Sequence, residues 1–272
     1  FLVFFFGCQT AKIEQPANTD FGLQDCFDHL GDGLVSNYSQ NSYVLGSHCM
    51  GTNHQAITGF ERVVFLGDSV TTGTFPTETV DFYRSRLARQ LVAEYALTPP
   101  TEDWFFVNYD SGTTQILESG SFASCAEFGA RADDLQRDGS QLEDCFPLEK
   151  RDVPTLVIMT VGGNDLASLT EGFIEGKSHD ELWAQTHRFM SDIQTAVEWM
   201  KNRDRFPNGL SLIFSNLYEY TDATGDTTSC PFASAAGLDE PVTDPALEEM
   251  VLWAMQEFLS IATEHQADML FL

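Results

Sequence analysis

A serine stands where an apolar run of the sequence ends in a glycine-containing turn. Ser69 lies in Gly67-Asp68-Ser69-Val70-Thr71-Thr72-Gly73, directly after Val63-Val64-Phe65-Leu66. On a tight turn between a buried strand and a helix, a serine hydroxyl faces a cleft in which the amide groups of the helix stabilise negative charge. A nucleophilic serine is therefore one interpretation of this turn. Taken alone, the turn is explained better by Asp68 or Ser69 capping a helix.

A second turn of this kind follows a later apolar run. The run Pro154-Thr155-Leu156-Val157-Ile158-Met159-Thr160-Val161 ends in Gly162-Gly163-Asn164-Asp165-Leu166. Because sites in parallel sheets gather beyond the carboxyl ends of the strands, we expect Asn164 to lie beside Ser69. An asparagine amide there is a donor for an oxyanion. The two turns together favour catalysis over capping.

Strands and helices alternate along the sequence. Five β-rich apolar runs are the candidate strands, at 62–66, 104–109, 155–161, 210–215 and 268–272. Three segments between them carry apolar residues at helical spacing, at 80–95, 180–200 and 245–265. This alternation predicts an α/β fold, a three-layer sandwich in which helices cover both faces of a five-stranded parallel sheet.

The two turns closely resemble blocks I and III of the SGNH, or GDSL, family of esterases and lipases. The matching residues are Gly-Asp-Ser-Val-Thr at 67–71 and Gly-Gly-Asn-Asp at 162–165, and the resemblance covers residues 60–272. It implies a flavodoxin-like fold with Ser69 as the nucleophile. It also implies an oxyanion hole made by the Ser69 backbone amide, a block II glycine amide and the Asn164 side chain. Asp68 and Asp165 look like supports that hold the two loops.

The block II glycine has three candidates after the second predicted strand, namely Gly112, Gly120 and Gly129. We choose Gly129, because Phe128-Gly129-Ala130-Arg131-Ala132-Asp133-Asp134-Leu135 looks like the family's glycine followed by the start of a helix. The other two glycines stand in a loop rich in serine and threonine. The alternative for Gly129 is a turn that needs a positive φ.

A serine nucleophile requires a base, which the family takes from an Asp-x-x-His pair beyond the last strand. The sequence holds no such pair, so we expect the catalytic His and Asp beyond residue 272 and the 272-residue chain alone to be almost inactive. His265 is placed at the sheet edge opposite Ser69. His179 and His187 fall at the correct edge and are interpreted as surface residues. Ordinary polar roles are expected for His29, His48 and His54.

Composition limits the partners of the chain. Asp and Glu number 41 against 14 Lys and Arg, a net charge of −27. This charge repels phosphate backbones and anionic membrane surfaces, so we expect no nucleic-acid partner. We interpret the acidic surplus as an adaptation to salty water. No cofactor is expected.

The first residues resemble the end of a secretory signal. Phe1-Leu2-Val3-Phe4-Phe5-Phe6-Gly7-Cys8 is apolar and shorter than a membrane span. Cys8 and the polar stretch after it resemble the lipidation site and tether of bacterial lipoproteins; an ordinary secretory signal is the alternative. We predict a signal remnant at 1–8, a tether and cysteine-stapled extension at 9–60, and the hydrolase domain at 61–272. The expected location is outside the cell or in the cell envelope, with Cys8 as membrane tether.

Five cysteines remain after Cys8. The simplest local pairs are Cys26–Cys49 and Cys125–Cys145, which leaves Cys230 for a partner beyond residue 272; the sequence does not fix this connectivity. No C-x-x-C spacing is present, so no metal site is predicted. The acidic loop 218–226 matches no calcium-binding pattern and is interpreted as a solvated loop that shapes specificity.

The expected activity is cleavage of carboxylic esters by a secreted serine hydrolase, through an acyl-enzyme. The expected substrates are small esters or acylated glycans. Two alternatives stay open: a polysaccharide O-acetyl esterase or acyltransferase, and a non-catalytic surface lipoprotein that uses the same fold for binding. The candidates for an acyl pocket, whose residue types are more often core, are Phe75, Trp104, Phe122 and Phe128.

Overall fold

Strands and helices alternate along most of the chain. The computed structural model describes residues 51–75, 77–136, 140–217 and 244–270. The strands are β1 (Arg62–Gly67), β2 (Val107–Asn108), β3 (Thr113–Thr114), β4 (Glu118–Ser119), β5 (Phe122–Ser124), β6 (Thr155–Thr160), β7 (Leu210–Ser215) and β8 (Asp268–Leu270). The α-helices are α1 (Ser69–Thr72), α2 (Tyr83–Glu94), α3 (Glu102–Phe105), α4 (Gln141–Cys145), α5 (Gly163–Ile174), α6 (His179–Lys201) and α7 (Pro245–Glu264). Short 3₁₀ helices cover Thr79–Asp81, Ala132–Leu135 and Leu148–Lys150.

Six strands form one sheet, in the order β4-β5-β1-β6-β7-β8. Neighbouring strands are parallel except for β4 and β5, which are antiparallel. Strands β1 and β6 pair along their whole length, from Arg62 opposite Thr155 to Gly67 opposite Thr160. Their carboxyl ends therefore lie side by side. The α/β fold agrees with the prediction, but the sheet has six strands rather than five.

Helices cover both faces of the central strands. Val63 and Phe65 of β1 pack in a core cluster with residues of α2. Val64 and Leu66, whose side chains point the other way, pack in a second cluster with residues of α6 and α7. Because β1 and β6 are buried on both faces, their sequences are apolar runs rather than alternating patterns. This is why they could be recognised as strands.

One predicted strand is wrong. In the segment 104–109, α3 continues to Phe105 and only Val107–Asn108 is extended, in a small separate sheet with β3. The strand beside β1 is instead β5. The Trp104 side chain is fully buried and packs on Phe65, so the aromatic run reflects burial rather than strand structure. The other predicted strands and helices are present, with ends that differ by up to three residues; residues 271–272 lie outside the described part.

Residues 51–55 lie beside β7 and β8, from Gly51 opposite Leu270 to Gln55 opposite Leu212. The Asp268 carboxylate of β8 accepts hydrogen bonds from the Thr52 hydroxyl at 3.4 Å, the His54 backbone N–H at 2.5 Å and the Gln55 side chain at 3.1 Å. Asp268 is buried. These contacts hold the start of the described chain to the last strand.

A disulfide joins Cys125, just after β5, to Cys145 at the end of α4. This pair was one of the two predicted. Cys8, Cys26, Cys49 and Cys230 lie outside the described residues. Within the described ranges, none of the helices has the length and apolar character that crossing a bilayer requires.

Candidate active site

Ser69 begins the four-residue helix α1, which follows β1 directly. The Asp68 carboxylate caps this helix by accepting from the Val70 N–H at 3.0 Å. Gly67 has a φ of 124°, and a Cβ at this position would overlap the Thr160 carbonyl oxygen. Glycine is therefore required where β1 passes β6 and turns into α1. Ser69 has no exposed surface, so a substrate reaches its hydroxyl only if neighbouring groups move.

The Ser69 hydroxyl has no hydrogen-bond partner among the described residues. The same is true of three other buried serines, Ser85, Ser124 and Ser215. An unpartnered hydroxyl is therefore not enough to identify a nucleophile. Ser69 differs from the other three because it stands at the first turn of a helix, directly after a strand, with Asn164 on the neighbouring strand's turn.

Asn164 and Asp165, at the start of α5, both hold the loop that follows β5. The Asn164 Nδ2 donates to the Ala130 carbonyl oxygen at 2.8 Å. The Asp165 Oδ2 accepts from the Ala132 N–H at 3.0 Å. Both side chains are buried. An asparagine amide carries two N–H groups, so Asn164 keeps one for a ligand after it has bonded to Ala130.

Gly129 lies in this same loop, between β5 and the 3₁₀ helix Ala132–Leu135. Its φ is 77°, it is exposed, and a Cβ there would meet nothing within 4 Å. The Glu127 N–H donates to the Gly67 carbonyl at 3.0 Å, which places the loop beside the end of β1. Gly120 precedes β5, which is parallel to β1, and so lies near the amino-terminal ends of these strands, away from Ser69. The structure thus gathers the segments that carry Ser69, Gly129 and Asn164 at one edge.

Burial has a large effect on the Asp165 carboxyl group. Loss of solvent raises the pKa of Asp165 to about 7, and the nearby Asp134 and Asp192 carboxylates raise it further. The hydrogen bond from Ala132 and the charge of Arg131 act in the opposite direction without cancelling this effect. One anchor of the Gly129 loop therefore titrates near neutral pH.

No described histidine hydrogen-bonds to the Ser69 hydroxyl. The histidines in the described ranges are His54, His179, His187 and His265. His179 lies 3.5 Å from Asp244 on the outer helices, and His187 packs on the Trp253 ring with centroids 4.4 Å apart. The structure therefore gives none of them the position of a base for Ser69.

The described residues offer no group of His, Cys, Asp and Glu side chains suited to a metal ion. The acidic loop 218–226, weighed above as a calcium site, lies outside the described residues. His29 and His48 also lie outside them.

Two of the four aromatic residues predicted to flank the cleft are core residues. Trp104 and Phe122 have no exposed surface, and their rings pack on each other. Phe75, in contrast, is 58% exposed and stacks on Tyr109 with ring centroids 5.3 Å apart. Tyr109 in turn lies 6.0 Å from the Phe128 ring. Phe75, Tyr109 and Phe128 form an aromatic row beside the loop that carries Gly129.

Sequence reasoning missed the polar side chains that support the nucleophile turn. The Thr71 hydroxyl lies 2.6 Å from both the Tyr83 hydroxyl and the Thr160 hydroxyl. The buried Arg84 guanidinium donates to the Thr72 carbonyl at 3.2 Å, and burial lowers the pKa of Arg84 to about 10. Thr71 belongs to the motif at 67–71, but its partners Tyr83 and Thr160 lie outside both motifs, as does Arg84. Nothing in a single sequence marks them.

A family model described as GDSL-like Lipase/Acylhydrolase matches residues 63–251. The match covers more than half of the chain, from β1 into α7, and includes Ser69, Gly129 and Asn164. No curated protein matches the chain.

Proposed function

The chain belongs to the GDSL-like lipase/acylhydrolase family, and from this premise we propose that it hydrolyses carboxylic esters through an acyl-enzyme on Ser69. Acyl hydrolysis of the esterase or lipase type follows from the family itself. The observation that carries the finer proposal is the meeting of three segments at one sheet edge. They are the turn after β1, the loop after β5 and the start of α5.

In the proposed reaction the Ser69 oxygen attacks the acyl carbon and its proton passes to a base. The ester C–O bond then breaks, the alcohol leaves with that proton, and water hydrolyses the acyl-enzyme to release the acid and restore the hydroxyl. The Ser69 N–H, the Gly129 N–H and the Asn164 side chain donate to the oxyanion. Such donors are typically worth about 3 kcal/mol of barrier each.

We propose that the base is the His of an Asp-x-x-His pair that follows β8, with the Asp orienting the imidazole. Because β8 is parallel to β7, the chain leaves β8 at the edge of the sheet that holds Ser69. The Ser69 hydroxyl has no hydrogen-bond partner among the described residues, so its O–H is available to donate to an imidazole nitrogen.

The proposed substrates are uncharged. The loop that carries Gly129 also carries Glu127, Asp133 and Asp134, within a chain of net charge −27, and this field repels anionic esters. Removal or transfer of acetyl groups on a polysaccharide is the second candidate. The exposed face of Phe75 favours it, because the C–H groups of a sugar ring can pack on an aromatic surface.

The proposed location is outside the cell or in the cell envelope. The Cys125–Cys145 disulfide supports it, because such bonds persist in oxidising compartments. Lipid on Cys8 would add a membrane tether. Changing Cys8 to Ser is then expected to release the protein from the membrane fraction, and unchanged fractionation would favour a plain secretory signal.

The test of the proposed function is covalent labelling. After incubation with a fluorophosphonate probe, mass spectrometry of the chain extended to the end of its reading frame is expected to find the adduct on Ser69. Ser69→Ala should abolish labelling and lower kcat on p-nitrophenyl acetate by about 10⁶-fold. Ser215→Ala is the matched control. Ser215 is also buried at the carboxyl end of a strand, and its hydroxyl has no partner among the residues that the structure describes.

Four results would contradict the proposal. An adduct on another residue, or unchanged hydrolysis in Ser69→Ala, would overturn the assignment of the nucleophile. Absence of labelling and hydrolysis in the extended chain would favour the non-catalytic alternative. Equal activity of the 272-residue chain and the extended chain would place the base within these residues, and His179 and His187 would then be the first to replace.

A further inference from the structure

The Gln141 side chain pairs with the backbone of Gly67 as a neighbouring strand would. The Gly67 N–H donates to the Gln141 Oε1 at 2.7 Å, and the Gln141 Nε2 donates to the Gly67 carbonyl at 2.8 Å. Gln141 is buried, although its type and position follow no motif. A side-chain amide, with one acceptor and two donors, thus takes the place of a peptide group.

This pairing is needed because β5 ends before β1 does. Phe65 is the last β1 residue paired with β5, opposite Ser124, and the chain then leaves the sheet. The Glu127 N–H returns to the Gly67 carbonyl, but the Gly67 N–H faces this gap and donates to Gln141. A buried N–H without a partner is costly, so the segment after β5 alone would leave the end of β1 poorly held.

Gln141 is itself held in place from both ends of its helix. It is the first residue of α4, and the preceding Ser140 hydroxyl accepts from the Glu143 N–H. The last residue of α4, Cys145, is bonded to Cys125 in the segment after β5. The helix that carries Gln141 is therefore held by a capping hydrogen bond at one end and a disulfide at the other, which fixes the position of the side-chain amide.

We propose that Gln141 is a positioning residue for the nucleophile turn. Its two hydrogen bonds hold the backbone of Gly67, the last residue of β1, and so fix the direction in which the chain continues into Asp68 and Ser69. The Ser69 N–H, which faces the oxyanion in the proposed function on which this inference rests, is two residues away. Misplacement of a reacting group by about 1 Å can cost about 100-fold in rate.

A second glutamine provides a matched control for a purely structural role. The Gln55 Nε2 donates to the Leu212 carbonyl at 2.7 Å, and the Leu212 N–H donates to the Gln55 Oε1 at 3.1 Å. This is the same two-bond pairing, but on the amino-terminal half of β7, away from the carboxyl end of the sheet that holds Ser69. If such pairs only stabilise the fold, replacing either glutamine should have the same consequences.

The first experiment compares Gln141→Ala with Gln55→Ala in the active, extended chain. Both variants are expected to lower the melting temperature. Only Gln141→Ala is expected to lower kcat per folded molecule, by about 10- to 100-fold with a smaller change in KM. Unchanged kcat in Gln141→Ala, or an equal loss of kcat in both variants, would overturn the proposal.

The second experiment uses Gln141→Glu, whose neutral carboxyl group can donate to the Gly67 carbonyl and accept from its N–H, as the amide does. The ionised carboxylate can only accept. The ratio of kcat between variant and wild type is therefore expected to fall as pH rises from 5 to 8. A ratio independent of pH, in protein shown by circular dichroism to stay folded, would contradict the positioning role.

The third measurement needs no turnover, so it separates this inference from the proposed function. Gln141→Ala is expected to speed amide hydrogen exchange at residues 67–69 by about 10-fold or more, and to leave β6 at its wild-type rate. Unchanged exchange at residues 67–69 overturns the inference whether or not the protein cleaves esters. Faster exchange in a protein whose wild type is not labelled at Ser69 would support the positioning of the turn by Gln141 and contradict the proposed ester hydrolysis.

Discussion

Two regions of the central sheet use buried polar groups in different ways. At the start of the edge strand β8, the Asp268 carboxylate accepts from Thr52, His54 and Gln55. At the carboxyl end, the Ser69 hydroxyl has no described partner and Asn164 has bonded only one of its two N–H groups. The separation is not complete, since the His54 Nε2 is also buried and has no hydrogen-bond partner within the described part of the chain. Still, the polar groups around Asp268 mostly hold the fold together, whereas the carboxyl end of the sheet keeps hydrogen-bonding groups available for a ligand.

A groove on the described surface does not lie at the candidate site. It has a volume of about 390 Å³ and lies at the amino-terminal end of the sheet, with His54, Gln55 and Lys201 among its lining residues. It contains none of the predicted site residues. At the carboxyl end Ser69 is fully buried. Chemistry and position, rather than the size of a depression, therefore locate the candidate site. The comparison of the Asp268 region with the carboxyl end can be tested by substitution.

The largest effect on stability is expected at Asp268, at the start of β8. Asp268→Ala leaves three donors without their acceptor and should lower the free energy of unfolding by about 3 kcal/mol. The kcat per folded molecule should not change. Urea unfolding followed by activity assays measures both, with Asp268→Asn, which keeps one acceptor oxygen, as the milder variant. Loss of kcat in folded Asp268→Ala would contradict the division of roles between the two regions.

The reverse pattern is expected for Asn164→Ala. Removing this oxyanion donor should lower kcat by about 100-fold or more with a milder change in KM, because its bond forms mainly in the transition state. The lost bond to Ala130 should cost only about 1 kcal/mol of stability. Asn208→Ala, which removes an exposed bond to the Asp152 carbonyl, is the control for kcat. A change in KM alone would argue that Asn164 positions the substrate.

A pH effect on stability is expected from Asp165. Its pKa is raised from 3.8 to about 7 in the folded protein, so between these values the folded state holds a proton that the unfolded state has lost. The contribution of Asp165 to the free energy of unfolding should fall as pH rises from 4 to 7 and then stay level. Asp165→Asn should remove this dependence, as measured by urea unfolding at several pH values. Identical pH profiles in variant and wild type would show that Asp165 does not titrate there.

The smallest effect is expected in the aromatic row. Phe75→Ala should lower kcat/KM by about threefold on p-nitrophenyl butyrate and less on the acetate, because a longer acyl chain loses a small apolar contact. Leu148→Ala is the control, since Leu148 is 76% exposed and far along the chain from the row. An equal loss on both esters would argue against an acyl contact, and a larger loss on an acetylated glycan would favour the second candidate function.

The sequence allowed correct prediction of those features whose evidence is local. Ser69 and Asn164 follow apolar runs directly, and parallel pairing of those runs is enough to put their turns at one edge. Cys125 and Cys145 are close enough in sequence for the pair to be guessed. Gln141 and Tyr109 could not be found in this way, because their roles depend on which distant segments meet. The run at 104–109 was misassigned because a buried aromatic cluster suits a helical turn as well as a strand.

Gly67 has a consequence for how motifs of this kind are recognised. A side chain there would collide with the Thr160 carbonyl, so the glycine reports the close approach of β1 and β6 rather than any chemical step. A chain could lose its nucleophile and still keep this glycine, because the spacing of the strands would continue to demand it. In a pattern search, Gly67 is therefore a marker of architecture, whereas the proposed catalytic residues, the base included, carry the information about catalysis.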